Sequence, residues 1–207
     1  MKRICLIICL AMLLFCACSS STDVDATEEE LANLREKYPY INNNMGFSSL
    51  DHVPEGEWAS PAQILFIAEV TGNYTYNSVT TNPGTAEYQG PMISIGTYYI
   101  PIKITEVIGT NQDYKLTDTA AYMSIPEMVF SPNDNFDEGS QFVVLGFDWG
   151  EYKGKTQFSI SQYTTFYLTD DNHVLSMTDY PMIDAYSGRT LNNFISDMDH
   201  VMEKSGW

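Results

Sequence analysis

Basic residues are scarce in this chain: ten Lys and Arg stand against twenty-seven Asp and Glu, a formal charge of -17 over 207 residues. Binding a polyanion through its phosphates needs clustered Lys and Arg, so nucleic acid is excluded as an expected partner. Cysteine is missing after position 18, the four being Cys5, Cys9, Cys16 and Cys18. The chain beyond Cys18 therefore has no internal disulfide, and its stability has to come from packing. Hydrolase signatures are missing too, with no Gly-x-Ser-x-Gly elbow and no Ser-x-x-Lys pair. The three histidines, His52, His173 and His200, are isolated in sequence, and no His-Glu-x-x-His or Cys/His cluster offers a metal site. The expectation is of no catalytic residues, no metal and no cofactor. What is present is enough to fold: 44% hydrophobic residues, 13% aromatic and only 18% charged, at a length suited to one domain with extra segments.

Lys2 and Arg3 precede an apolar run from Ile4 to Phe15, twelve residues and so shorter than the roughly 18 needed to span a bilayer. Positive start and short apolar run read as an export signal, residues 1–17. The run ends Phe15-Cys16-Ala17-Cys18, followed by Ser19, Ser20 and Ser21, which resembles the lipobox of bacterial lipoproteins. The resemblance implies lipidation of Cys18, with small Ala17 before it, and hence an extracytoplasmic protein anchored to the bacterial cell membrane through that lipid. Phe15 and Cys16 depart from the usual Leu and small residue. Removing residues 1–17 takes away two basic groups and no acidic one, so the exported chain is more acidic still.

Residues 18–26 are small, polar and acidic and read as a tether. Thr27 with Glu30 three residues on is a capping-box pattern, and Leu31, Leu34, Tyr38 and Ile41 recur at helical spacing. Residues 27–60 are thus a helix, to about Tyr38, and a linker. From position 61 to 180 the pattern is β. Ile64–Val70, Thr97–Ile108, a weaker Thr119–Ile125, Gln141–Trp149, Phe158–Leu168 and Val174–Met177 give five or six strands. Pro101 falls inside the second, which is tolerated only where its missing N–H faces away from the ladder. In residues 181–207, Leu191, Phe194, Ile195, Met198, Val201 and Met202 mark a second helix behind Thr190 as N-cap, its stripe facing a core.

Five or six strands with a helix at each end suit a small closed barrel better than a sandwich. The segments Ala62–Val70, Tyr99–Val107 and Phe136–Leu145 resemble the small barrels of bacterial surface lipoproteins, similar in layout to netrin-like and metalloproteinase-inhibitor domains. The resemblance covers about residues 60–180 and implies a five-stranded Greek-key barrel of the oligonucleotide/oligosaccharide-binding kind. Animal inhibitors of that family chelate a protease zinc with a free N-terminal cysteine next to the barrel. Here the only such cysteine is Cys18, lipidated and set apart from the barrel, so that mechanism is not implied.

Carboxylates are abundant, and Asn133 to Glu138 gathers oxygen ligands, yet its register is not that of an EF-hand, and a solvated acidic turn accounts for it as well as calcium does. Tyrosine is the unusual inventory, fourteen in all. Ligands of such barrels lie across strands 2 and 3, flanked by the loops joining strands 1 to 2 and 4 to 5, here residues 72–96 and 150–157. These carry or border Tyr74, Tyr76, Tyr88, Trp149 and Tyr152, the candidate ligand-binding patch, since rings with polar tips suit sugars and protein surfaces alike. The opposing expectation is that the long first connection folds back as an extra hairpin with its tyrosines against the barrel wall. The leading functional expectation is a non-catalytic binding module for an envelope glycan or a protein. Second comes an inhibitor-like or regulatory domain for a secreted hydrolase, and third a small carboxylate-dependent enzyme.

Overall fold

A computed structural model describes residues 24–41, 62–81, 93–111, 113–127, 129, 131–132 and 134–204. The expected export signal, Cys18, most of the expected tether, His52, Tyr88 and Asn133 lie outside the described residues. The fold is mainly β. Among the described residues nine strands form one sheet: β1 Ile64–Val70, β2 Thr75–Thr81, β3 Ile93–Thr110, β4 Ala120–Pro126, β5 Gln141–Tyr152, β6 Lys155–Ser159, β7 Thr165–Leu168, β8 His173–Ser176 and β9 Arg189–Thr190. Three helices accompany it, α1 Glu28–Lys37, α2 Pro181–Asp184 and α3 Leu191–Lys204.

The count of five or six strands is corrected to nine, for three local reasons. The long connection after β1 contains β2, which folds back on the first half of β3 with Thr75 opposite Tyr99 and Thr81 opposite Ile93. The run 158–168 reads as one strand but breaks between β6 and β7. There Ser161 and Thr164 bond each other, Ser161 N–H to Thr164 Oγ1 at 3.1 Å and Thr164 N–H to the Ser161 carbonyl at 3.1 Å. Such side-chain turns need neither Gly nor Pro. β9, only two residues long, pairs with β8 past the expected end of the β region.

Strand pairings run β1–β3, β3–β4, β4–β6, β6–β5 and β5–β1, so five strands close on themselves, and all these pairs are antiparallel except β4–β6. Pro101 shows why β3 can serve two neighbours on one edge. β2 pairs with residues 93–99 of β3 and β1 with residues 102–110, leaving Pro101 at the junction. Its carbonyl turns to that junction and accepts the Thr71 N–H at 3.0 Å. The ring nitrogen faces the same gap, where no ladder bond is lost.

Alternation along the strands builds two cores. One face of the ring gathers Ile64, Phe66, Ala68 and Val70 of β1 with Ile100, Ile102, Ile104, Met123, Ile125, Phe142, Val144 and Phe158. The other face of β1 and β5 gives Leu65, Ile67, Val143 and Leu145, which pack with Phe166 and Val174 against Phe194, Met198, Val201 and Met202 of α3. Burial on both faces is why β1 reads as an apolar run interrupted only by Glu69. Gly146 on β5 is required by the inner core, since a Cβ there would stand 2.7 Å from Phe66 Cε1 and 2.9 Å from Phe158 Cδ1.

α1 begins on the expected capping box, Glu30 N–H to Thr27 Oγ1 at 3.3 Å and Thr27 N–H to Glu30 Oε2 at 2.8 Å. Leu31, Leu34, Tyr38 and Ile41 lie against the inner core. Arg35 holds the helix down. Its guanidinium donates to Asp184 Oδ1 at 2.7 Å, Ser187 Oγ at 2.6 Å and the Ser176 carbonyl at 2.7 Å, and lies 3.9 Å from the Tyr40 ring centre. The end of the expected tether is also docked. Asp25 accepts from Arg189 at 2.7 Å, from Thr190 N–H at 3.0 Å and from Asn193 at 2.9 Å, at the start of α3. A carboxylate there meets the positive end of the helix. Burial opposes its ionisation, but the Asn193, Thr190 and Arg189 donors outweigh that and keep Asp25 below the ordinary carboxylate pKa.

Candidate binding face

On β3 the inward residues are Ile100, Ile102 and Ile104, so Tyr99, Pro101 and Lys103 share the outer side. On β4 Ala121, Met123 and Ile125 are inward, which turns Ala120, Tyr122 and Ser124 out. The registers set Tyr99 opposite Ser124, Pro101 opposite Tyr122 and Lys103 opposite Ala120. Beyond β4, Gln157 of β6 is level with Tyr122, and its amide donates to Ser124 Oγ at 3.0 Å. β2 adds Thr75, opposite Tyr99, and Asn77, opposite Thr97.

The hairpin between β5 and β6 bends across this face. Lys153 (φ 51°) and Gly154 (φ 72°) form its two-residue turn, and Gly150 (φ 100°) sits at an irregularity in the pairing between Asp148 and Glu151. Tyr152, at the tip, lays its ring on Tyr99, centroids 3.8 Å apart and planes within 10°, and meets Tyr122 edge-on at 5.0 Å. Its hydroxyl accepts from Asn77 Nδ2 at 2.9 Å and lies 3.4 Å from Thr75 Oγ1. The Thr75 hydroxyl, with Lys153 and Asn77, outweighs the small effect of burial and lowers the Tyr152 phenol pKa below its ordinary value. Lys153 Nζ stands 5.1 Å from the ring centre. The outcome is three half-buried rings bordered by amides, hydroxyls and ammonium groups.

The expected five aromatics fall into different neighbourhoods. Tyr152 belongs to the face just described. Tyr74 and Tyr76, 44% and 45% exposed, stand on the opposite side of the β2–β3 hairpin. There they contact Tyr98 at 5.6 and 5.0 Å, and Tyr76 donates to Glu127 Oε2 at 2.6 Å. That bond to a carboxylate raises the Tyr76 pKa. Gly96 beneath leaves the room, since a Cβ there would collide with the Tyr76 phenol and the Glu127 carboxylate. Trp149, 67% exposed, has Phe147 as its ring neighbour at 5.7 Å. Tyr88 lies outside the described residues. The hairpin expected as the rival reading of the 72–96 connection is present as β2, with Tyr74 and Tyr76 exposed on it. Tyr99 and Tyr122 are not among the five expected aromatics, although the sequence carries a signal for Tyr99: Ile at 100, 102 and 104 assigns the odd-numbered neighbours to the other face.

Among the described residues no group of three His, Cys, Asp or Glu could hold a metal ion. In the acidic turn, Asp134–Phe136 is a 3-10 turn with Phe136 buried. His173 Nε2 lies 3.3 Å from the Val24 carbonyl, while His200 lines a groove of about 510 Å³ with Met182, Tyr186, Arg189, Asp197 and Val201. Arg189 of this groove is already held by Asp25 and Asp197 at 2.7 and 3.3 Å. No described helix is long and apolar enough to cross a membrane. Compared with known proteins, the chain matches no family model and no curated sequence.

Proposed function

We propose that the protein is a lipid-anchored, extracytoplasmic, non-catalytic binding module that holds an envelope glycan on the outer face of β3 and β4. In this reading the closed five-strand path is a small Greek-key barrel of the oligonucleotide/oligosaccharide-binding kind. β3 and β4 are its second and third strands, the connection carrying β2 is its first flanking loop, and the β5–β6 hairpin is the other. Lipid on Cys18 ties it to the membrane.

The observation that carries the proposal is the Tyr99, Tyr122 and Tyr152 cluster with Asn77 and Thr75 at its rim. Rings offer a sugar their apolar faces and edges, while amides and hydroxyls match its oxygens. A protein partner fits these groups less specifically, because the hydrogen-bonding groups are concentrated beside the rings.

Capture of soluble envelope polysaccharide by the purified domain tests it. Tyr122→Ala and Tyr99→Ala should each lower capture about tenfold or more, in line with removing a central aromatic anchor, while melting stays cooperative. Wild-type capture by both variants would overturn the site; capture of proteins alone from the same extract would overturn the glycan reading.

A further inference from the structure

We propose that the sugar held by this face is acidic, its anionic group seated between Lys103 and Lys155. The proposal rests on the glycan reading above and adds the charge of the ligand.

Eight basic residues lie among the described ones, in a chain of formal charge -17. Arg35, Lys37 and Arg189 each hold a carboxylate within 4 Å. No ion pair of this kind engages Lys103, Lys115, Lys153, Lys155 or Lys204 among the described residues. Three of these five, Lys103, Lys153 and Lys155, gather on the tyrosine face or its hairpin. A repulsive overall field makes such a gathering the place where an anion is least opposed.

Register makes the cluster specific. Lys103 is opposite Ala120 on β4. Tyr122 is level with Gln157 on the parallel strand β6; continuing that register by two residues sets Ala120 level with Lys155. Two lysines therefore flank a methyl group across three strands, with backbones about 10 Å apart at two inter-strand spacings. Their flexible stems let both ammonium groups converge above Ala120, whose own side chain is only a methyl group. Two residues along on the same face comes Tyr122, so a sugar ring resting on the tyrosines presents a carboxylate, sulfate or phosphate substituent to the lysine pair. Lys155 also pairs with Tyr152 across the hairpin, which couples ring and charge. The opposing groups are Glu69 of β1, which faces Lys103 in register without forming an ion pair among the described contacts, and Asp118, whose carboxylate accepts the Ala120 N–H at 3.0 Å.

The test is calorimetric binding of the domain to paired probes: oligogalacturonate and its neutral methyl ester, with sulfated and phosphorylated oligosaccharides beside their unsubstituted backbones. At least one acidic member should bind about tenfold or more tightly than its neutral counterpart, and weaken with added salt as screened charges do. Lys103→Gln with Lys155→Gln should remove that preference without shifting the melting temperature, and Glu69→Gln should strengthen it. Equal binding of acidic and neutral members, or an unchanged preference in the double variant, overturns the acidic ligand and leaves the glycan reading standing. Binding of no member, acidic or neutral, overturns both.

Discussion

Replacing Arg35 by Ala gives the sharpest test of how the N-terminal segment is held. α1 has no fully buried residue, so its docking depends on the half-buried stripe of Leu31, Leu34, Tyr38 and Ile41 and on polar ties, of which Arg35 makes the most, beside Lys37 to Asp170, the Tyr40 hydroxyl to Asp184 and the Tyr167 hydroxyl to the Pro39 carbonyl. The Arg35 side chain is only 14% exposed, and its loss strands the Ser176 carbonyl and leaves Asp184, 29% exposed, without its cation. Removing one partner of a fully buried pair costs about 3–5 kcal/mol, and an exposed pair about 0–1 kcal/mol. This pair lies nearer the buried case, so about 3 kcal/mol is expected, a fall in melting temperature of about 6–12 °C for a domain of this size. Burial pushes the Asp184 carboxyl up, but hydroxyls of Ser187, Tyr40 and Ser176 together with Arg35 outweigh it and leave its pKa lowered. The sign follows: a carboxylate with a depressed folded pKa stabilises above its unfolded pKa, about 3.9, and that contribution is lost as pH falls through the folded value. Thermal melts of wild type and Arg35→Ala, taken from pH 7 down to 2, should therefore differ most at neutral pH and draw closer below about pH 4, where the Asp184 share is lost while the bonds to the Ser176 carbonyl and Ser187 remain. A difference under about 1 kcal/mol at pH 7, or one that persists unchanged in acid, would refute the latch.

Gly146→Ala should destabilise by about 1–3 kcal/mol through overpacking against Phe66 and Phe158, read by urea denaturation; a neutral result would mean that the inner core has slack there. Cys18→Ser should release the protein from the membrane, and intact mass of membrane-extracted wild type should show acylation at Cys18; an unmodified residue would remove the anchor. A chain beginning at Ser19 should melt at the same temperature with and without reductant, because no cysteine follows Cys18. A fall of several degrees would contradict this.

Helices were legible where local chemistry decides them. Thr27 and Glu30 mark the start of α1, and the Leu191 to Met202 stripe marks α3, because capping and 3.6-residue periodicity are written in neighbouring positions. β1 was equally plain, its run ending at Gly72. β2 was not, since Thr75–Thr81 has no apolar alternation of its own and exists by pairing with β3. The split between β6 and β7 depends on a hydroxyl-mediated turn within a run otherwise rich in strand formers. The candidate site shows the same limit. Tyr152 was visible as an aromatic beside a Gly-rich hairpin, and the outward setting of Tyr99 follows from the isoleucine alternation beside it, that of Tyr122 from Ala121, Met123 and Ile125. Their meeting required the register across β3, β4 and β6 and the bend at Gly150, which are long-range quantities. Tyr74 and Tyr76 are near Tyr152 in topology but fall on the other side of one hairpin, because a strand reverses its facing at every residue.

Amide chemical-shift mapping during addition of soluble envelope polysaccharide tests the placement of the ligand most directly. The account predicts the largest shifts along Thr97–Lys103, Ala120–Ser124 and Tyr152–Gln157, with little change in α3. Shifts confined to the groove between α2 and α3, or to Tyr74, Tyr76 and Trp149 without Tyr99 and Tyr122, would contradict it.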